Sequence, residues 1–184
     1  QHGQALGQVR LPLLGKHNVS NALAAAAAAL ALGVPPEQII ERLESLQALA
    51  GRLTVVSGLR GAKLLDDTYN ANPGAVKAAL DTLASFPTPR WCALGAMGEL
   101  GDEAAALHAD IGRYAAELGI DELLTLGDAA RAASEAFGRG LHFNDHEALT
   151  RHVTNTLPPD TTLLVKGSRS AGMEHVINAL RSDK

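Results

Sequence analysis

The sequence predicts an α/β fold: a Rossmann-like, mostly parallel sheet with helices on both faces, preceded by a short helical segment. Two observations predict the sheet. Apolar residues make up 46% of the 184-residue chain and aromatics only 3%. That balance, rich in Ala and Leu, favours helices packed on a sheet over an aromatic-rich sandwich. From Arg52 onward, strand-like and helix-like segments alternate to the end of the chain, which is the pattern of a parallel sheet. A third observation sets the domain boundary. The segment "AGR", Ala50 to Arg52, separates two paired helical patterns from the alternating part, so residues 1–50 are expected to close a preceding domain and 51–184 to form the α/β domain.

The elements follow in order. Val9 to Leu14 suggests a short edge strand, with Pro12 excluding a central one. "NVSNALAAAAAALALG" predicts a helix stopped by Gly33, and "PPEQIIERLESLQAL" a second helix, opened by prolines and striped by Ile39, Leu43 and Leu46. "LTVVSGLRGAKLLDDTY" reads as a hairpin. Asn72 and Pro73 supply a cap and a first-turn proline for the helix "PGAVKAALDTLASF". Then come strand "RWCALG", helix "AALHADIGRYAAELG", strand "ELLTLG", helix "AARAASEAFG", strand "LHF", helix "HEALTRHVTNTL", strand "TTLLVKG" and helix "MEHVINALRS".

Composition excludes some functions. A net charge of -4 gives no electrostatic basis for nucleic acid or an anionic membrane. The longest apolar run, Ala22 to Val34, is too short to span a bilayer. The single cysteine, Cys92, cannot form an internal disulfide and fits a reducing cytoplasm. The chain opens with "QHGQALGQV", without an initiator Met, and reads as a piece of a longer protein.

Ligands in open α/β sheets gather at the carboxyl ends of strands. Polar clusters fall at such ends: "DDTYNAN", "GAMGELGDE" and "KGSRS". Asp67 suits ribose hydroxyls or a metal there; a polar loop is the plainer alternative. Gly95, Gly98 and Gly101 lack the dinucleotide fingerprint spacing and read as a turn. Lys166, Ser168 and Arg169 suit either an anion or a solvated loop. Asn18 and Asn21 share a helical face and suit an adenine edge, although Asn18 also suits a cap. "GK" at Gly15 is no phosphate loop, because the glycine required five positions earlier is Arg10. His142, His146 and His152 are expected at the surface, with no metal site. No catalytic residue is assignable from spacing.

Together these segments resemble the Mur ligases, the ATP-dependent ligases of peptidoglycan synthesis. "GKHNVSNALAAAAA" is similar to the end of their central ATP-binding domain, "GRL" to the junction, and "DDTYNANP", "LGAMGELG" and "LVKGSR…ME" to their C-terminal domain. Within the family they look like the member that joins D-alanyl-D-alanine to UDP-N-acetylmuramoyl-tripeptide. The resemblance implies amide formation through an acyl phosphate, with ATP and Mg2+ required by the complete enzyme and this segment inactive alone. It assigns Asn18 and Asn21 to the adenine, Asp67 to the ribose, Arg52 to the nucleotide across a hinge, and Lys166, Ser168, Arg169 and Asn70 to the peptide substrate. The family usually carries Asp where this sequence has Ala96. The alternatives are a free-standing nucleotide-binding or interaction module and a sibling such as a folylpolyglutamate synthase, against which "TYNANP" speaks.

Overall fold

The computed structural model describes residues 5–182, and its contacts separate two compact units, Gln1–Leu49 and Ala50–Lys184. In the first, α1 (Lys16–Ala31) ends in a Schellman arrangement: the Gly33 amide donates to Leu30 O and the Val34 amide to Ala29 O. The helix buries no side chain, and Val19 and Leu23 are exposed. After it, α2 (Pro36–Glu44) starts on Pro36 and stops at Ser45, whose hydroxyl donates to Arg42 O. This is earlier than the apolar stripe predicts. The expected strand at Val9 to Leu14 does not form; Pro12 removes a ladder donor, and among the described residues no strand lies in this unit to pair with it.

The second unit is a sheet in the order β1-β2-β6-β3-β4-β5. The hairpin strands β1 (Thr54–Ser57) and β2 (Lys63–Asp67) are antiparallel. The strands β3 (Arg90–Gly95), β4 (Glu122–Leu126), β5 (Leu141–Phe143) and β6 (Thr162–Lys166) run parallel with β2. All carboxyl ends of the parallel strands therefore share one sheet edge. Helix α3 (Pro73–Ala84) starts as predicted, with Asn72 Oδ1 accepting from the Ala75 amide and Pro73 in the first turn. The remaining helices are α4 (Ala104–Glu117), α5 (Arg131–Phe137), α6 (His146–Thr156) and α7 (Glu174–Leu180).

Strand side chains alternate between faces. Leu64, Ala93, Leu124, Leu163 and Val165 pack with Leu149 and Val153 of α6 and Val176 and Ile177 of α7. The intervening residues Leu65, Cys92, Leu94, Leu123 and Leu164 are buried on the other face, where α3, α4 and α5 lie. Burial pushes the Cys92 thiol up to about 12, so it is inert.

On that second face α4 and α5 touch backbone to backbone. A Cβ on Gly112 would stand 2.0 Å from Ala133 O. Gly112→Ala is therefore expected to destabilise the chain despite a helix-propensity gain of about 1 kcal/mol, because overpacking costs about 1–3 kcal/mol and a backbone oxygen cannot rotate away. Urea unfolding should show a lower midpoint with an unchanged slope; an equal or higher midpoint would show that the helices separate freely.

Candidate functional site

The adjacent acids at the end of β2 leave the sheet on opposite faces, as strand alternation requires. Asp66 lies in register with Val165, and Asp67 with Lys166. Asp66 is buried and fully occupied: its Oδ1 accepts from the Thr68 hydroxyl at 2.7 Å and the Thr68 amide at 3.3 Å, and its Oδ2 accepts from the Gly51 amide at 3.2 Å. Gly51 O in turn accepts from the Tyr69 amide. This acid is structural. It fastens the entry of the α/β unit to the loop after β2. Beside that clasp, the Arg52 guanidinium lies 4.0 Å above the centre of the Tyr69 ring, with both side chains exposed.

Asp67 differs in kind. Its Oδ2 accepts from Lys166 Nζ at 2.5 Å, and the same ammonium donates to Asn70 O at 2.8 Å. The Lys166 side chain is 2% exposed and that of Asp67 15%. Among the described residues no donor reaches Asp67 Oδ1. The strand ends thus bring Asp67, Lys166 and the Asn70 backbone together at the carboxyl edge. Lys166 spends its charge on Asp67, so of the basic loop expected after β6 only Arg169 presents an exposed cation. Arg169 is exposed and lies 3.6 Å from Glu174. Ser168 is buried, its hydroxyl 3.1 Å from that of Ser170. Asn70 itself is exposed, with Oδ1 turned back to the Ala71 amide.

In the first unit, Asn18 is not the side-chain cap of α1. Its Nδ2 donates to Leu14 O at 2.7 Å, and Asn21 Nδ2 lies 3.5 Å from its Oδ1. The three singled-out histidines are dispersed. His142 bonds the Thr125 hydroxyl, His146 bonds Ala171 O, and His152 stacks on Trp91.

The loop after β3 is held by a residue the sequence reading missed. His108 on α4 is fully buried, and its Nε2 accepts from the Met97 amide at 2.9 Å. That bond requires a bare Nε2, so Nδ1 carries the proton and donates to Ala104 O at 2.7 Å. One signal was available: His108 opens the buried stripe His108, Ile111, Gly112, Ala115, an apolar periodicity with a histidine in it. Ala96 is tied through its backbone alone, its N–H donating to Leu126 O and its carbonyl accepting from the Ser168 amide. The loops after β3 and β6 therefore touch. They do so because Gly95 and Gly167 leave room for Ala171 and Met173, each of which a Cβ would strike.

Burial holds His108 below the ordinary histidine value of 6.5, partly offset by the Ala104 bond. The unfolded chain then binds the proton more readily. This stabilisation is fully present above pH 6.5 and is lost as pH falls below it. His142, also lowered by burial, adds to the same slope. His108→Gln, which keeps an acceptor for Met97, is expected to flatten the fall in stability between pH 6.5 and about 5 without abolishing it. Parallel slopes for the two proteins in urea titrations across that range would contradict the assignment.

The model of the family "Mur ligase, glutamate ligase domain" matches residues 51–169. The chain is 43% identical, over 95% of its length, to UDP-N-acetylmuramoyl-tripeptide–D-alanyl-D-alanine ligase of Escherichia coli K12, covering 39% of that protein. Among solved structures it superposes on MurF from Acinetobacter baumannii with a TM-score of 0.84 and 38% identity, covering 92% of this chain and 38% of that one. It also shares the fold of the MurF ligase of Thermotoga maritima solved in complex with ADP, with a TM-score of 0.82 at 24% identity over 93% of this chain and 39% of that one. The chain thus spans about two fifths of the relatives it matches. Its match to the family model over most of the α/β unit shows that it belongs to the Mur ligase family, through the glutamate ligase domain.

Proposed function

We propose that this chain is the C-terminal part of an ATP-dependent ligase that joins D-alanyl-D-alanine to UDP-N-acetylmuramoyl-tripeptide in peptidoglycan synthesis. The observation that carries the reading is Asp67, an acid at the carboxyl edge of a parallel sheet with one oxygen anchored and the other open. Similarity to ligases of that name along 95% of the chain supports the substrate assignment. In this reading residues 1–50 are the C-terminal end of the central ATP-binding domain and 51–184 the Rossmann-like C-terminal domain.

The chemistry runs in two transfers. An oxygen of the tripeptide's terminal carboxylate attacks the γ-phosphorus of ATP, and ADP leaves. The amine of D-alanyl-D-alanine then attacks the acyl phosphate, an amide forms, and phosphate leaves with the electron pair of the broken bond. Catalysis of such transfers is mostly positioning and charge stabilisation. Asp67 receives the ribose hydroxyls, and Arg52 supplies a guanidinium toward the nucleotide. Asn18 and Asn21, on α1, offer amides to the adenine edge. Ser168, Arg169 and Asn70 are assigned to the peptide substrate. Mg2+ neutralises the phosphates in the complete enzyme, and no residue of this chain is assigned to it. A nucleotide-linked precursor and ATP as substrates support a reaction in the cytoplasm.

A chimera tests this reading. Residues 51–184 would replace the matching segment of the E. coli ligase, and amide formation would be followed with D-alanyl-D-alanine and, in parallel, glutamate. Ligation of D-alanyl-D-alanine alone is expected; ligation of glutamate would move the chain to a sibling activity. The isolated 184-residue chain is expected to hydrolyse no ATP above background, because it carries no glycine-lysine loop around the β- and γ-phosphates. Magnesium-dependent turnover by that chain alone would overturn the division of labour.

A further inference from the structure

We propose that Lys166 is a positioning residue for nucleotide recognition: its buried ammonium fixes the Asp67 carboxylate so that the open oxygen meets the ribose hydroxyls. The proposal rests on the assignment of Asp67 given above. It replaces the expectation that Lys166 touches the peptide substrate.

The geometry separates three roles. A substrate contact needs an accessible ammonium, yet the Lys166 side chain is 2% exposed and its Nζ already donates to Asp67 Oδ2 and Asn70 O. A purely stabilising role is poorly served by a charge, since apolar replacements of buried ion pairs are often neutral or better. The residues before it, Leu163, Leu164 and Val165, are fully buried aliphatics, so an aliphatic side chain at 166 would continue their pattern. Orientation is the role that the charge does serve. The ammonium grips one carboxylate oxygen and the carbonyl three residues later, fixing both the side chain and the loop after it. Asp67 Oδ1 has no donor among the described residues, and the side chain keeps 15% of its surface at the edge where ligands of parallel sheets bind. A carboxylate held in advance loses less freedom on binding.

The test uses the full-length ligase and equilibrium competition between ATP and 2′,3′-dideoxy-ATP, with Michaelis constants measured alongside. Hydrogen bonds to a charged acceptor predict that the wild type favours ATP by about ten- to a hundredfold. Asp67→Asn should erase most of that preference. Lys166→Met should erase a similar share and leave the Michaelis constants for D-alanyl-D-alanine and the UDP-linked substrate within about twofold of wild type. Adding Lys166→Met to Asp67→Asn should change the preference by less than about twofold, because the lysine acts through the acid. Lys166→Gln, which keeps a donor toward both partners, should recover part of the preference; it carries the comparison if the Met variant does not fold. Wild-type preference in Lys166→Met, or in Lys166→Gln where the Met variant does not fold, overturns the proposal. So does a raised Michaelis constant for D-alanyl-D-alanine in both backgrounds, which would return Lys166 to the peptide. Wild-type preference in Asp67→Asn would instead remove the ribose assignment itself, and the proposal with it.

Discussion

A buried ammonium must meet a counter-charge, and this constraint organises the carboxyl edge of the sheet. Lys166 closes β6 with almost no exposed surface, and Asp67 answers it from β2 across the ladder. Leaving one member of such a pair unpartnered costs about 3–5 kcal/mol. Register follows from this. A slip of one residue between β2 and β6 would turn Asp67 to the α6–α7 face and bring Asp66, with its three hydrogen bonds, under the lysine. The ion pair therefore selects which of two adjacent acids shares a face with Lys166.

Asp66 does the opposite task on the opposite face. It gathers amides from Thr68 and Gly51 and the hydroxyl of Thr68, and so ties the first residues of the α/β unit to the loop beyond β2. Arg52 follows Gly51 directly, and its guanidinium rests over Tyr69 of that same loop. One dipeptide of acids thus anchors both the proposed ribose acceptor and the backbone that carries the proposed hinge arginine.

Much of the fold was legible because it depends on local signals. The alternation after Arg52, the Asn72–Pro73 helix start and the Gly33 stop are each written within a few residues. The second helix ended early, at Ser45, where its apolar stripe alone would have carried it to Leu49. The residues of the proposed site could be named from the sequence, but their pairings could not. Asp67 and Lys166 stand 99 positions apart, and only the strand order, with β6 inserted between β2 and β3, brings them together. His108 was hidden for a different reason. It occupies a core position of a helix, where a histidine reads as an interruption of the stripe rather than as the support of a neighbouring loop.

That support bears on Ala96, where the resemblance leads one to expect an acid. The loop after β3 is fixed by His108 beneath Met97 and by backbone bonds from Ala96 to Leu126 and Ser168. The close approach of Ala171 and Met173 to Gly95 and Gly167 holds it from the side. None of these contacts uses the side chain at 96. An acid at this position is thus not required for the loop's shape. Ala96 brings no charge to the carboxyl edge, next to a loop whose own lysine is already neutralised by Asp67. Charge near this edge comes instead from Arg169 beside Glu174, from the open oxygen of Asp67, and from the exposed Glu99 of the loop after β3.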